Sequence, residues 1–91
     1  MDRTYEALTA AFAEVIRRRR LAAGLSQEKL AEQADVSVRF ISFLENGRRQ
    51  PTLTVVVALS RGLGISLTEF AEDIEETWLA AKDVRVVDSD V

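Results

Sequence analysis

The chain has 91 residues and a net charge of −3; 47% of its residues are hydrophobic, 30% are charged, and it contains neither cysteine nor histidine. This length and composition indicate one folded domain that is small enough to be only marginally stable alone. The missing residues exclude disulfides, thiolate chemistry and the usual near-neutral acid–base group, so we expect no metal, no cofactor and no enzymatic activity. No segment resembles a signal peptide or a membrane span, so we expect a cytoplasmic protein without a membrane or small-molecule partner.

The first two predicted helices are amphipathic and are separated by residues typical of turns. Gly24 suits the left-handed cap that ends the first helix, and Ser26 caps the second, with Glu28 near its positive end. Asp35 follows where the chain must turn sharply, and Asp tolerates a positive φ better than most residues. The first helix covers residues 4–23, and steps of three and four mark its apolar face at Tyr5, Leu8, Phe12, Val15 and Ile16.

The third predicted helix is short, and packing uses only one of its faces. Ser37 caps it, Ile41 and Leu44 point inward, and Gly47 ends it before a basic loop. Two helices of about eight residues joined by a tight turn have the layout of a helix-turn-helix, whose second helix enters the DNA major groove. The outward residues of this helix are therefore candidates for contact with a partner.

The segment 53–59, "LTVVVAL", gives conflicting signals. Its β-branched residues are typical of a buried strand, but no partner strand precedes it, and Pro51 and Thr52 could equally open a helix. Gly62 and Gly64 punctuate the end of the segment. The helical alternative is supported by the spacing of Leu53, Val56, Ser60 and Leu63.

The last predicted helix begins at a capping box. Ser66 caps it, Glu69 reaches back, and the helix runs to about Lys82. We therefore expect one domain over residues 1–82 that includes the terminal helices. Residues 83–91 form a polar tail that is either flexible or contains a short edge strand.

The charge is segregated along the chain. Residues 17–49 contain eight basic and four acidic residues, a local charge of +4, whereas residues 50–91 contain three basic and eight acidic residues, a local charge of −5. A polyanion responds to the local field, so the first segment is suited to a nucleic-acid partner despite the negative total. Within it, the run Arg17, Arg18 and Arg19 is by itself typical of a solvated helix face.

Residues 24–70 resemble the Cro/C1-type helix-turn-helix domain, also called the XRE family. The resemblance rests on the opening L-S-Q-x-x-L-A, the ending I-S-x-L-E-N-G and the following P-T-L, all at the family's spacing, while Asp35 replaces the usual turn glycine. It implies an all-α fold, a compact five-helix bundle like that of lambda repressor, with helices two and three as the helix-turn-helix and an extended C-terminal helix. It therefore favours a helix over 53–59.

The same resemblance implies the function and the residues that carry it. It implies a sequence-specific transcriptional regulator of the controller or phage-repressor type, associated with the nucleoid, that binds double-stranded DNA as a homodimer on a pseudo-palindromic operator. Residues implied to contact base edges are Val38, Arg39, Ser42 and Phe43. Residues implied to contact phosphates are Ser26, Gln27, Ser37, Asn46, Arg48 and Arg49. A structural ion pair is implied between Arg20 and Glu45.

The residue types agree with these roles, although some alternatives stay open. Arg39 can donate two parallel hydrogen bonds to a guanine, or it can clamp a phosphate instead. Phe43 and Val38 can touch a thymine methyl group, but Phe43 could also pack on a neighbouring loop. Gln27 could be only a helix-start residue.

The two terminal helices each carry an apolar stripe that could contribute to a dimer. One stripe comprises Tyr5, Leu8 and Phe12, and the other comprises Phe70, Ile74 and Trp78. The stripes either pack on each other within one chain or contact a second copy. We expect part of the set to pack internally, with Ile74 and Trp78 reaching a second subunit. The predicted interface comprises Phe70, Ile74 and Trp78. The alternative function is an antitoxin or another protein-binding module that holds a partner through the C-terminal helix.

Overall fold

Five α-helices follow one another along the chain, as the sequence predicted. The computed structural model describes the backbone of residues 3–90 and the side chains of residues 5–81. Over the described backbone no strand is present, and the segment 53–59 is helical. The all-α, five-helix prediction is therefore confirmed. The helices are α1 (Arg3–Ala22), α2 (Gln27–Ala34), α3 (Val38–Glu45), α4 (Leu53–Leu63) and α5 (Leu67–Asp90).

Short polar side chains cap the starts of α2, α3, α4 and α5, and a residue with a left-handed backbone conformation follows each of α1 to α4. The hydroxyl oxygens of Ser26, Ser37, Thr52 and Ser66 each accept a hydrogen bond, 2.9–3.2 Å long, from the backbone N–H three residues later. Each bond satisfies a donor that the helix itself leaves unpaired. Asp35 ends α2 with φ 59° and ψ 45°, so aspartate adopts here the left-handed conformation that glycine adopts most readily.

The hydrophobic core contains residues from all five helices. Phe70 of α5 is fully buried, and its ring lies 5.9 Å from that of Phe12 in α1. The prediction that Phe70 belongs to a dimer interface is therefore wrong, because its side chain is enclosed within one protomer. The core comprises Phe12, Val15, Ile16, Leu30, Ala31, Ala34, Ile41, Leu44, Leu59, Leu63 and Phe70.

Gly62 lies inside α4 rather than after it, and it lets α4 approach α2 closely. A Cβ atom at this position would lie 3.2 Å from Leu30 Cδ1 and 3.4 Å from the backbone nitrogen of Ala34. Leu53, the first residue of the spacing that supported a helix here, is 76% exposed. The first turn of α4 therefore projects beyond the core, and the packing is concentrated in its second half.

Two arginines of α1 hold α5 through ion pairs. Arg18 Nη2 lies 2.7 Å from Asp73 Oδ1, and Arg19 contacts Asp73 Oδ2 at 2.8 Å and Glu69 Oε2 at 3.0 Å. Burial tends to raise the pKa of Asp73, but hydrogen bonds and charge from Arg19 and Arg18 outweigh it, so the pKa lies below the ordinary value of 3.8. Arg17 and Arg18 are exposed, as predicted for a solvated helix face, but Arg19 is half-buried, and the pairing of Arg18 and Arg19 with α5 was not predicted. Glu69 pairs with Arg19 instead of completing the capping box.

The last helix, α5, extends to Asp90, beyond the predicted end near Lys82. Residues 83–90 continue the helix, so they do not form the edge strand that the sequence left open. The side chains of 82–91 lie outside the described residues, and the division between domain and tail stays a prediction. In the part of the chain that the structure describes, no single helix is long and apolar enough to cross a membrane; α4 and α5 meet that test only as a pair bent by 106°.

Candidate nucleic-acid interface

One face of α3 is buried and the other is open. Ile41 and Leu44 are completely buried, whereas Val38 is 39% exposed and Arg39 is exposed. Ile41 and Leu44 are three positions apart, so they share one side of the helix, and Arg39, Ser42 and Phe43 lie towards the opposite side. The arrangement presents the start of α3 outward, as a recognition helix requires.

The end of α3 is tied to α1 by a two-pronged ion pair. Arg20 Nε lies 2.6 Å from Glu45 Oε2, and Arg20 Nη2 lies 3.0 Å from Glu45 Oε1. Only 4% of the Glu45 side chain and 11% of the Arg20 side chain are exposed. The hydrogen bonds that Arg20 donates to Glu45 raise the pKa of Arg20 and outweigh the opposing effect of burial. The predicted structural ion pair is thus present.

Gln27 joins this ion pair at the start of α2. Its Nε2 donates a hydrogen bond of 3.0 Å to Glu45 Oε1, so one carboxylate connects α1, α2 and α3. The amide nitrogen has two hydrogens, and the second remains able to donate to a phosphate. The phosphate role of Gln27 stays a prediction, and the structure adds a contact that joins the start of α2 to the end of α3.

The remaining predicted phosphate contacts are placed at the ends of α2 and α3. Ser26 and Ser37 accept the capping hydrogen bonds at 3.0 Å, which leaves each hydroxyl hydrogen able to donate. Asn46 caps the end of α3, and its Nδ2 lies 3.5 Å from Ser42 Oγ. Arg48 is exposed, and its backbone N–H donates to the carbonyl of Phe43 at 2.9 Å.

Phe43 lies beside two arginines. The guanidinium carbon of Arg39 and that of Arg49 each lie 5.4 Å from the centre of its ring. This distance is within the range of about 6 Å in which a cation is attracted to an aromatic face. The i, i+4 spacing of Arg39 and Phe43 on one helix is a signal that the sequence offered. The approach of Arg49 depends on the path of the loop, and no local sequence pattern indicates it.

Ion pairs inside the protein reduce the number of cations available to a partner. Of the eight basic residues in 17–49, the structure pairs four with carboxylates: Arg18, Arg19, Arg20 and Lys29. Among the described side chains, no carboxylate pairs with the other four, which are Arg17, Arg39, Arg48 and Arg49. Three of these four lie on α3 or in the loop after it, so the uncompensated positive charge is concentrated at the candidate interface.

A second surface lies on α5 and α1. An open groove of about 560 Å³ contains the half-buried Ile74 and Trp78, the two other residues of the predicted dimer interface. Leu67, also in this groove, is 42% exposed. We call this surface the apolar groove; it is lined by Leu8, Leu67, Thr68, Ala71, Glu72, Ile74, Glu75 and Trp78.

Comparison with known proteins relates this arrangement to a family. The model of the helix-turn-helix family matches residues 16–70, which is more than half of the chain and includes α2, α3 and α4. The control protein C.MunI of a Mycoplasma species is 44% identical over 52 residues, which are 57% of this chain and 70% of that protein. The uncharacterised regulator YqaF of Bacillus subtilis is 33% identical over 69 residues, which are 75% of this chain and 91% of that protein.

A solved structure supplies the comparison with a complex. The restriction-modification controller protein C.Esp1396I, solved as a tetramer with its natural 35-base-pair operator, superposes with a TM-score of 0.75. The sequence identity is 29%, and the match covers 79% of this chain and 95% of that one. The similarity therefore spans the described bundle beyond the helix-turn-helix alone.

Proposed function

The chain belongs to the Cro/C1-type helix-turn-helix family, and from this premise we propose that it is a transcriptional regulator of the controller type that binds operator DNA through α3. The observation that carries the proposal is the division of α3 into a fully buried side and an open side flanked by uncompensated arginines. Such a helix fits the major groove, and the cations beside it can hold the two strands. A regulator of this kind acts at the chromosome, in the cytoplasm.

In this proposal the residues divide into base readers and phosphate contacts. Arg39, which is exposed near the start of α3, reads a guanine, and Val38 and Ser42 contact neighbouring base edges. The phosphate contacts surround them at Ser26, Gln27, Ser37, Asn46, Arg48 and Arg49. The first set determines which sequence is bound, and the second determines how tightly any duplex is held.

We further propose that the protein binds a pseudo-palindromic site as a homodimer whose subunits meet at the apolar groove. One short recognition helix makes few contacts, and two such helices about 34 Å apart read two half-sites. Ile74 and Trp78 leave part of their apolar surface open in the groove, and such surfaces are typical of interfaces between proteins. Because α5 packs on α1 and α4 while α3 packs on α1 and α2, a partner at the groove leaves α3 free.

The proposed activity is binding alone, without catalysis. The sequence lacks histidine and cysteine, and in the part of the chain that the structure describes no three acidic residues are close enough to hold a metal ion. The buried carboxylate of Glu45 and the carboxylate of Asp73 both accept hydrogen bonds from arginines that join helices. The alternative of a module that holds a protein partner through α5 predicts a second protein species on purification, and recovery of one species contradicts it.

The proposal is tested by binding of the full chain to the DNA upstream of its own coding sequence. We expect a footprint over one or two symmetric half-sites, and an affinity that falls as salt increases. Arg39→Ala should weaken specific binding by about 1–3 kcal/mol and relax the preference at one base position. Arg48→Ala should weaken binding to all sequences and reduce the salt slope by about 1.

The control for both variants is Arg61→Ala, which removes the same charge from an exposed position in the last turn of α4. We expect it to leave sequence preference unchanged. The absence of any mobility shift at low ionic strength would contradict the proposal. A loss for Arg39→Ala that is equal on all sequences would make Arg39 a phosphate contact.

A further inference from the structure

We infer that Phe43 is a positioning residue, which holds the guanidinium groups of Arg39 and Arg49 towards DNA and does not itself read a base. This inference rests on the proposed function, and it names the residue on which the specificity of that site depends. It also replaces the expectation that Phe43 touches a thymine methyl group.

The contacts of Phe43 arise from two different parts of the chain. Arg39 precedes it by one turn of α3, and Arg49 comes from the loop after α3. Both guanidinium carbons lie 5.4 Å from the ring centre. The backbone N–H of Arg48 donates to the carbonyl of Phe43 at 2.9 Å, so the loop that carries Arg49 is attached at the same residue. The ring and the loop therefore form one local unit.

Electrostatics favour this unit as a site for an anion. Two guanidinium groups near one ring repel each other, and among the described side chains neither has a carboxylate partner. The negative face of the ring attracts each cation and partly offsets the repulsion. A DNA phosphate or the acceptor edge of a guanine bound by these guanidinium groups supplies the negative potential that the protein does not.

The burial of Phe43 argues against a direct contact with bases. Its side chain is half-buried, whereas Val38 and Arg39 on the same helix are exposed. A side chain that is covered by two arginines and partly enclosed presents little surface to a methyl group in the groove. The arginines, once held on the ring, lose less side-chain freedom when DNA binds, so the ring contributes to affinity without touching the duplex.

Phe43→Leu tests this role, because leucine keeps an apolar side chain and removes the ring. We expect its affinity for the operator to fall about fourfold to twenty-fivefold, since two cation–ring contacts are lost at about two- to fivefold each. In an Arg49→Ala background the same substitution should cost about two- to fivefold, because only the contact with Arg39 remains. Phe43→Tyr keeps the ring and should bind within about twofold of the unsubstituted protein.

Two further measurements separate positioning from a direct contact and from a folding defect. Replacing each operator thymine in turn by deoxyuridine removes one methyl group at a time. We expect each replacement to change the affinity of Phe43→Leu as it changes that of the unsubstituted protein, with no position at which the change disappears in the variant. The ratio of affinities for the operator and for a variant lacking the guanine read by Arg39 should fall in Phe43→Leu, while the melting temperature stays within a few degrees. A loss of fold alone would lower the melting temperature and leave that ratio unchanged.

The inference is overturned if Phe43→Leu costs the same with and without Arg49, or if a single thymine methyl accounts for its effect. It is also overturned if Phe43→Tyr is as weak as Phe43→Leu. These outcomes leave the proposed function intact, because the unsubstituted protein still binds. Failure of the proposed function is a different result, in which the unsubstituted protein binds no duplex at low salt.

Discussion

Replacing Glu45 by glutamine should destabilise the whole bundle, because it removes the charge that three helices share. The substitution keeps the shape of the side chain, so no cavity forms. The carboxylate now accepts two hydrogen bonds from Arg20, at 2.6 and 3.0 Å, and one from Gln27 at 3.0 Å. Glutamine can accept one hydrogen bond from Arg20, but its amide N–H groups then face the guanidinium group of Arg20, whose side chain is only 11% exposed.

The magnitude follows from those bonds. A hydrogen bond to a charged group contributes about 1.5–3 kcal/mol and a neutral one about 1 kcal/mol, and a buried charge left without its partner costs about 3–5 kcal/mol. Since Arg20 keeps a bond of 2.9 Å to the carbonyl of Leu25, we expect Glu45→Gln to lower the free energy of unfolding by about 2–4 kcal/mol. This is a large part of the stability of a small domain.

Urea unfolding followed by circular dichroism measures this change, with Glu32→Gln as the control. Glu32 pairs with Lys29 at 3.3 Å, but its side chain is 72% exposed, so its loss should change stability by less than about 0.5 kcal/mol. The double variant Arg20→Leu/Glu45→Leu should be more stable than Arg20→Leu alone, because no isolated charge remains buried. A loss for Glu45→Gln no larger than that of the control would refute this reasoning.

Three further predictions concern the terminal helices. Trp78→Ala should shift sedimentation towards the monomer, whereas Leu53→Ala, at an exposed position of α4, should not; an unchanged dimer in the first variant would place the interface elsewhere. Phe70→Ala should cost about 3–5 kcal/mol in urea unfolding, against less than about 0.5 kcal/mol for Leu79→Ala at a 43% exposed site; similar losses would contradict the packing described. Asp73→Asn should lower the melting temperature at pH 7. Because the pKa of Asp73 in the folded protein lies below 3.8, the difference in melting temperature from the unsubstituted protein should be complete above about pH 5 and shrink as the pH falls below 3.8. A difference in melting temperature that does not depend on pH would show that the charge of Asp73 is not its cause.

Local patterns predicted the helices well because capping and apolar spacing act over a few residues. Ser26, Ser37, Thr52 and Ser66 begin helices where the sequence placed them. The segment 53–59 could not be decided by its β-branched residues, since propensity is weaker than tertiary packing; the family resemblance decided it. The five-helix bundle was therefore predictable, with the helical interpretation of 53–59 supplied by the resemblance.

Contacts between distant residues were harder to predict. A stripe on α5 does not reveal which of its residues face the same chain, and Phe70 proved internal while Ile74 stays partly open. A run of arginines is usually solvated, but Arg18 and Arg19 meet Asp73 because α5 returns along α1. Neither contact has a signal in local sequence, since each depends on how two helices are placed by the core.

The pairing of Arg18 and Arg19 with carboxylates has a consequence for how the molecule reaches a polyanion. It neutralises charge on the surface where α1 meets α5, and among the described side chains it leaves unpaired cations around α3 and unpaired carboxylates on α5, such as those of Glu72 and Glu75. A protein whose positive and negative charges are separated in this way has a permanent electric dipole. The field of a DNA duplex therefore exerts a torque that turns α3 towards the duplex before contact. At physiological ionic strength the field is screened over about 8 Å, so this alignment occurs in the last step of approach and fades as salt is added.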